Sequence, residues 1–150
     1  MTTHAASTER RGQSHQLIDE LLELRTEMFT LYSTLGSARP FKMSNELVEA
    51  IQDFCQALVD YTANAHFSIY RFITEGKERR TSVLKIADST YPKIAETTNI
   101  IIAFNDKYDN KEHCEKSLSM LEKDLSYLGE VLAERIEHED ALINTLRQGR

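Results

Sequence analysis

The stretch Asp53-Phe54-Cys55-Gln56-Ala57-Leu58-Val59-Asp60-Tyr61, running on through residues 62–65 to His66-Phe67-Ser68-Ile69-Tyr70, decides the fold of this chain. Leu47, Ile51, Phe54, Leu58, Ala65 and Ile69 recur at intervals of three, four and seven, which is the apolar stripe of one long amphipathic helix. Asp53, Asp60 and Phe67 are also seven apart. Two helical turns hold about seven residues, so these three fall on one line, away from the stripe. A helix that buries one stripe and presents acid with a large ring elsewhere suits docking to a basic partner. Gln56 and Asn64 flank the line. The residues alone leave a second reading open, in which the acidic face is only solvated and Phe67 belongs to a wide core arc.

Working outward, helices account for the rest. Ser14 has the chemistry of an N-cap for a first helix carrying Leu17, Leu21, Leu24, Met28, Leu31 and Leu35, with residues 1–13 as a flexible lead-in. Gly36 and Pro40 close it. Ser44 caps the second helix, which runs to about Gly76. A third starts near Arg80, with Leu84, Ala87, Tyr91, Ile94 and Ile101 on one side and a kink or restart expected at Pro92. Asp109 and Glu112 have capping-box spacing ahead of a fourth stripe, Leu118, Leu121, Leu125, Leu128 and Leu132, continued by Ile136, Ile143 and Leu146. Ile100-Ile101-Ile102 could read as a strand, but its flanks keep helical period. Four long helices with short connections predict an all-α, up-down-up-down antiparallel bundle spanning 14–150 as a single domain.

Composition agrees. The chain has 150 residues, 41% of them hydrophobic, which is enough for a core of its own. Its 5 glycines and 2 prolines are too few for a sheet with frequent tight turns. Acids outnumber bases 24 to 18, a net charge of −6 that favours basic partners and disfavours direct nucleic-acid or anionic-membrane binding. Cys55 and Cys114 form no CxxC pair and suit a reducing compartment. Residues 1–15 lack the apolar core of a secretory signal, and the longest apolar run, 100–104, is far short of a membrane span. A cytoplasmic protein is expected.

Chemistry-bearing motifs are missing. A di-iron bundle needs Glu-x-x-His, yet the residues three before each histidine are Met1, Gly12, Ala63, Asn110 and Arg135. There is no HExxH, no GxSxG and no P-loop. No enzyme activity, metal or cofactor is therefore expected. One polar cluster stands out. Arg135 and Glu139 interrupt the leucine stripe of the fourth helix, and His66 lies at a similar height on the second, which runs parallel to it. Such a layer is either a register-fixing network of satisfied hydrogen bonds or a ligand or metal sensor.

The run 53–61 with 66–70 resembles the central motif of the Rsd/AlgQ family of bacterial regulators of the housekeeping sigma factor. The resemblance extends to Leu17-Ile18-Asp19 with Arg25, Tyr91-Pro92, Ala103-Phe104-Asn105-Asp106, Leu128-Gly129-Glu130, Arg135, Glu139-Asp140 and Leu142-Ile143, so it covers nearly all of the chain past the first dozen residues. Members usually carry a Trp near the position of Leu21, Gly at that of Ala65 and Glu at that of Arg71; this chain departs at all three. The resemblance implies a helical bundle without enzyme activity that binds region 4 of the primary sigma factor, one-to-one as a monomer. That region recognises the −35 promoter element and contacts core RNA polymerase. It further implies that Asp53, Asp60, Asn64 and Phe67 meet the partner, with His66, Arg135 and Glu139 supporting them from beneath.

Overall fold

The computed structural model describes residues 2–76 and 78–148, with side chains described from residue 12 onward. The described residues form four helical rods, and no strand occurs among them. The first is α1 (Thr2–Gly36). The second is α2 (Asn45–Ala65), a π-helical segment (His66–Tyr70) and the short α3 (Arg71–Thr74). The third is α4 (Thr81–Lys107). The fourth is α5 (Lys111–Ser117), a 3₁₀ turn (Leu118–Met120) and α6 (Leu121–Arg147).

Contacts across the core fix the direction of each rod. Tyr32 meets Phe54, and further along Arg25 lies within electrostatic reach of Tyr61; rising numbers on α1 thus meet falling numbers on α2. Phe54 meets Phe104 while Tyr70 meets Tyr91, which makes the second and third rods antiparallel. Arg135 bonds to Thr97, and Asp124 pairs with Lys107, so α4 and α6 also run in opposite directions. The bundle is up-down-up-down, as the stripes predict. Its broadest packing is α1 along α2 and α4 along α6, and narrower contacts of α1 with α6 and α2 with α4 close the ring.

Local chemistry sets the ends. Ser44 caps α2 by accepting from the Leu47 N–H at 3.0 Å. The second rod stops where Gly76 takes φ +79°, a left-handed conformation that glycine adopts without steric cost. Glu78 then organises the entry to α4: it accepts from the backbone N–H groups of Arg79 and Arg80 and from the Arg80 side chain, whose Nη1 reaches the Leu146 carbonyl at 3.1 Å. Loop and C-terminal helix are clipped together there.

Three boundaries differ from the sequence reading. The first helix already begins at Thr2, so Ser14 lies inside it, buried, and is not its cap; no proline interrupts residues 2–13. Side chains of the first eleven residues of the expected lead-in lie outside those described. The fourth rod is capped by Asn110, whose Oδ1 accepts from the His113 N–H at 2.8 Å, while Asp109 instead pairs with the His113 ring. Helix α4 is continuous through Pro92, an exposed position, so of the two expected outcomes the restart does not occur. The π segment had no counterpart in the sequence reading.

Candidate functional site

A buried polar node joins all four rods midway along the bundle. Glu139 on α6 and Arg135 one turn before it are each 1% exposed. Glu139 Oε2 accepts from Arg135 Nε at 3.1 Å and from the Tyr70 hydroxyl at 2.6 Å. Its Oε1 accepts from the Tyr61 hydroxyl and from Arg25 Nη2 on α1, the latter at 3.1 Å. Arg25 Nη1 goes on to Asp140 at 2.8 Å. On the other side, Arg135 Nη1 donates to the hydroxyls of Thr97 and Thr98 on α4, at 3.0 and 2.8 Å. Two arginines face two carboxylates, so the node is charge-balanced, and Glu139 is engaged by four donors.

Balance matters because burying an unpaired charge costs several kcal/mol. Burial holds the Tyr61 and Tyr70 hydroxyls well above the ordinary tyrosine range, and the Glu139 carboxylate pushes them the same way. Arg25 and Arg135 remain firmly charged: burial opposes this, but the acids and tyrosines around them outweigh it.

The π segment allows both tyrosines to reach one carboxylate. Nine residues of ideal α-helix turn the chain through about two and a half turns, which would leave Tyr70 pointing away from Tyr61. The wider π turn between them makes up part of that half-turn. Tyr70 then lies on the Glu139 side, and its ring packs on Tyr91 of α4 at 5.3 Å.

Outward of the node, the second rod presents the acid-and-ring line. Asp53 and Asp60 are exposed, with Gln56 Nε2 donating to Asp60 Oδ1 at 2.9 Å. Phe67 is 65% exposed, so it is no core residue. Its ring meets the edge of His66 at 4.8 Å between centroids. Val59 adds apolar surface on the same rod. Asn64 is half-buried, and its Oδ1 is shielded from solvent without a hydrogen-bond partner among the described residues. Arg71, one turn beyond Phe67, is exposed and ion-paired locally with Glu75 at 2.5 Å.

The structure corrects one grouping. Arg135 and Glu139 are together in the buried layer, but His66 is exposed and stands outside it, sharing only a cleft wall with Arg135. The partners that do complete the layer are Tyr61, Tyr70, Arg25, Thr97 and Thr98. Sequence offered one usable signal for them: a tyrosine on a buried helical stripe needs a partner for its hydroxyl, and Glu139 breaks a leucine seam. Among the described residues no group of three His, Cys, Asp or Glu side chains converges as a metal site, and no helix is long and apolar enough to cross a membrane.

Comparison with known proteins places the geometry in context. The family described as regulator of RNA polymerase sigma(70) subunit, Rsd/AlgQ, matches residues 1–147. A regulator of sigma D from Yersinia enterocolitica (serotype O:8 / biotype 1B) is 34% identical over 139 residues, covering 91% of this chain and 83% of the relative. Its namesake from Yersinia pseudotuberculosis (serotype O:1b) is 34% identical with 91% and 82% covered. The protein of that name from Enterobacter sp. (strain 638) is 34% identical over 140 residues, with 91% and 83% covered. No solved structure matches the chain significantly.

Proposed function

The chain belongs to the Rsd/AlgQ family of regulators of the RNA polymerase sigma(70) subunit, and from that premise we propose that it is a non-enzymatic anti-sigma factor acting in the cytoplasm. It captures region 4 of the primary sigma factor, one copy to one. Region 4 reads promoter DNA, so it carries a basic face. A chain of net charge −6 with Asp53 and Asp60 exposed on one helix offers the complementary charge.

The observation that carries this reading is the exposure of Phe67. A ring 65% open to solvent, two helical turns along the rod from Asp60, has no structural task within the bundle. At an interface it serves as the buried anchor, with acids at its margin to orient the partner. In this arrangement Asp60 pairs with an arginine or lysine of the partner, Asp53 extends the acidic row, and the unpartnered Asn64 Oδ1 accepts a hydrogen bond. The node of Arg135 and Glu139 holds the rod carrying these residues at a fixed height and rotation. Covering the DNA-reading face of region 4 denies it the −35 element, and sequestering sigma keeps it from core polymerase. Transcription from housekeeping promoters falls.

Co-elution on a sizing column tests this directly. The full chain mixed with isolated region 4 of its own primary sigma factor is expected to elute as a one-to-one complex, and Phe67→Ser to elute apart from it. Separate elution of the unmodified chain would overturn the proposal.

A further inference from the structure

A cleft of about 570 Å³ opens between the π segment and α4, on the solvent side of the buried node. Its size lies within the range of sites for small organic molecules. Rings of Phe67, Tyr70 and Tyr91 supply flat apolar wall, and Ile94 and Ala95 add aliphatic surface. His66, Arg71 and Arg135 also line it, and among the described residues no carboxylate does. In a chain with 24 acids against 18 bases that is a marked local reversal. Three other clefts each include a carboxylate: Asp124 beside Lys107 in one, Asp106 among Lys107, His113 and Lys116 in another, and Asp19 with Glu23 in a third.

Hydrogen-bonding capacity remains unused in this cleft. The side chains of His66 and Asn99, which also lines it, make no hydrogen bond to another described residue. Arg71 engages Glu75 through Nε, which leaves both terminal nitrogens for a ligand. The two ends of the wall thus differ in chemistry: flat rings for stacking, and planar cationic or amide donors for a charged group. The π turn produces this juxtaposition by bringing His66, Phe67 and Tyr70 to the same opening.

We propose that this cleft binds a small organic anion in which a flat ring carries a carboxylate or a phosphate. The ring stacks among Phe67, Tyr70 and Tyr91, and Arg71, His66 and Asn99 hold the anionic group. This site does not depend on the sigma reading, and its test needs no partner protein.

Backbone amide shifts of the full chain, followed by NMR, test it with four probes. Salicylate joins a ring to a carboxylate and adenosine monophosphate joins a ring to a phosphate; adenosine and inorganic phosphate each lack one half. The expected result is saturable, one-site shifts around His66, Phe67 and Asn99 with at least one of the first two, and weaker binding of the half-probes. Salicylate alone would assign a carboxylate ligand, and adenosine monophosphate alone a phosphate. Arg71→Glu is expected to weaken binding by about tenfold, and Ala95→Trp to block it by filling the cleft from α4. Both positions are exposed, so the thermal transition should be unchanged. No saturable shift from either ring-bearing anion at millimolar concentration would overturn the proposal. So would equal binding of adenosine, or binding that survives both substitutions.

Discussion

The Tyr70 hydroxyl donates to Glu139 at 2.6 Å, across the bundle from the second rod to the fourth. With Tyr61 and Arg25 bound to the other oxygen of the same carboxylate, Glu139 becomes the point at which the rods are registered. An apolar bundle can slide or rotate by small steps with little change in burial. A four-donor carboxylate cannot, because any shift leaves buried charge unpaired.

Glu139→Gln is the sharpest test of that node. The replacement keeps the shape but removes the charge and sets an amide donor among guanidinium and hydroxyl donors. Breaking a buried ion pair from one side typically costs about 3–5 kcal/mol. Urea unfolding should show a loss of that order, and a change within experimental error would contradict the structural role assigned to Glu139.

High pH offers an independent probe. Tyr61, Tyr70 and Tyr108 are all held above the ordinary tyrosine pKa, by burial first and by nearby carboxylates second. In the unfolded chain tyrosines ionise near pH 10. The folded protein therefore retains protons that the unfolded chain releases. Stability is full below about pH 10 and falls as pH rises beyond it. Melting temperature measured against pH should decline there, and a flat profile up to pH 11 or so would contradict it.

Much of the bundle was legible because the first, third and fourth stripes keep helical spacing over most of their length. A 3₁₀ turn (Leu118–Met120) does interrupt the fourth rod, and Leu84 lies off the buried side of α4. The second stripe keeps its spacing only as far as Ala65. Beyond it the π segment shifts the phase, so residues that share a face in an ideal helix no longer do. The shift lets Tyr61 and Tyr70 converge despite a spacing of nine, whereas His66, at the start of the segment, is already rotated off the buried side marked by Ala65 and is exposed. Arg25 was hidden for a different reason. It sits one residue past the stripe of α1, and only its long side chain carries the charge inward to Glu139 and Asp140. The outward line of Asp53, Asp60 and Phe67 was readable because exposure follows rotation about the helix, and rotation follows spacing.

Gly129 and Tyr32 form a second coupled pair. A Cβ at Gly129 would collide with the Tyr32 hydroxyl, which donates to the Leu125 carbonyl at 2.8 Å. Alanine is favoured over glycine in a helix by about 1 kcal/mol, but here it displaces a hydrogen bond worth a similar amount. Gly129→Ala should therefore be neutral or destabilising in the native chain. In a Tyr32→Phe background, where the hydroxyl is gone, it should be more favourable by about 1–2 kcal/mol. Equal effects in both backgrounds would show that the close approach does not matter.

Asp60→Lys separates recognition from folding. Asp60 is exposed, and among the described residues its side chain bonds only to the equally exposed Gln56. Circular dichroism should be unchanged. Losing a central charge pair at an interface and replacing it with repulsion typically costs about 2–5 kcal/mol of affinity. Full sigma binding by the folded variant would remove Asp60 from the proposed contact surface.

Titration calorimetry of the chain against isolated region 4 of its own primary sigma factor, at low and high salt, tests the central claim most directly. Electrostatic capture anchored by Phe67 predicts one-to-one binding that weakens as salt screens the acids of the second rod. Absence of binding heat at either salt, together with separate elution of the two proteins, would contradict it.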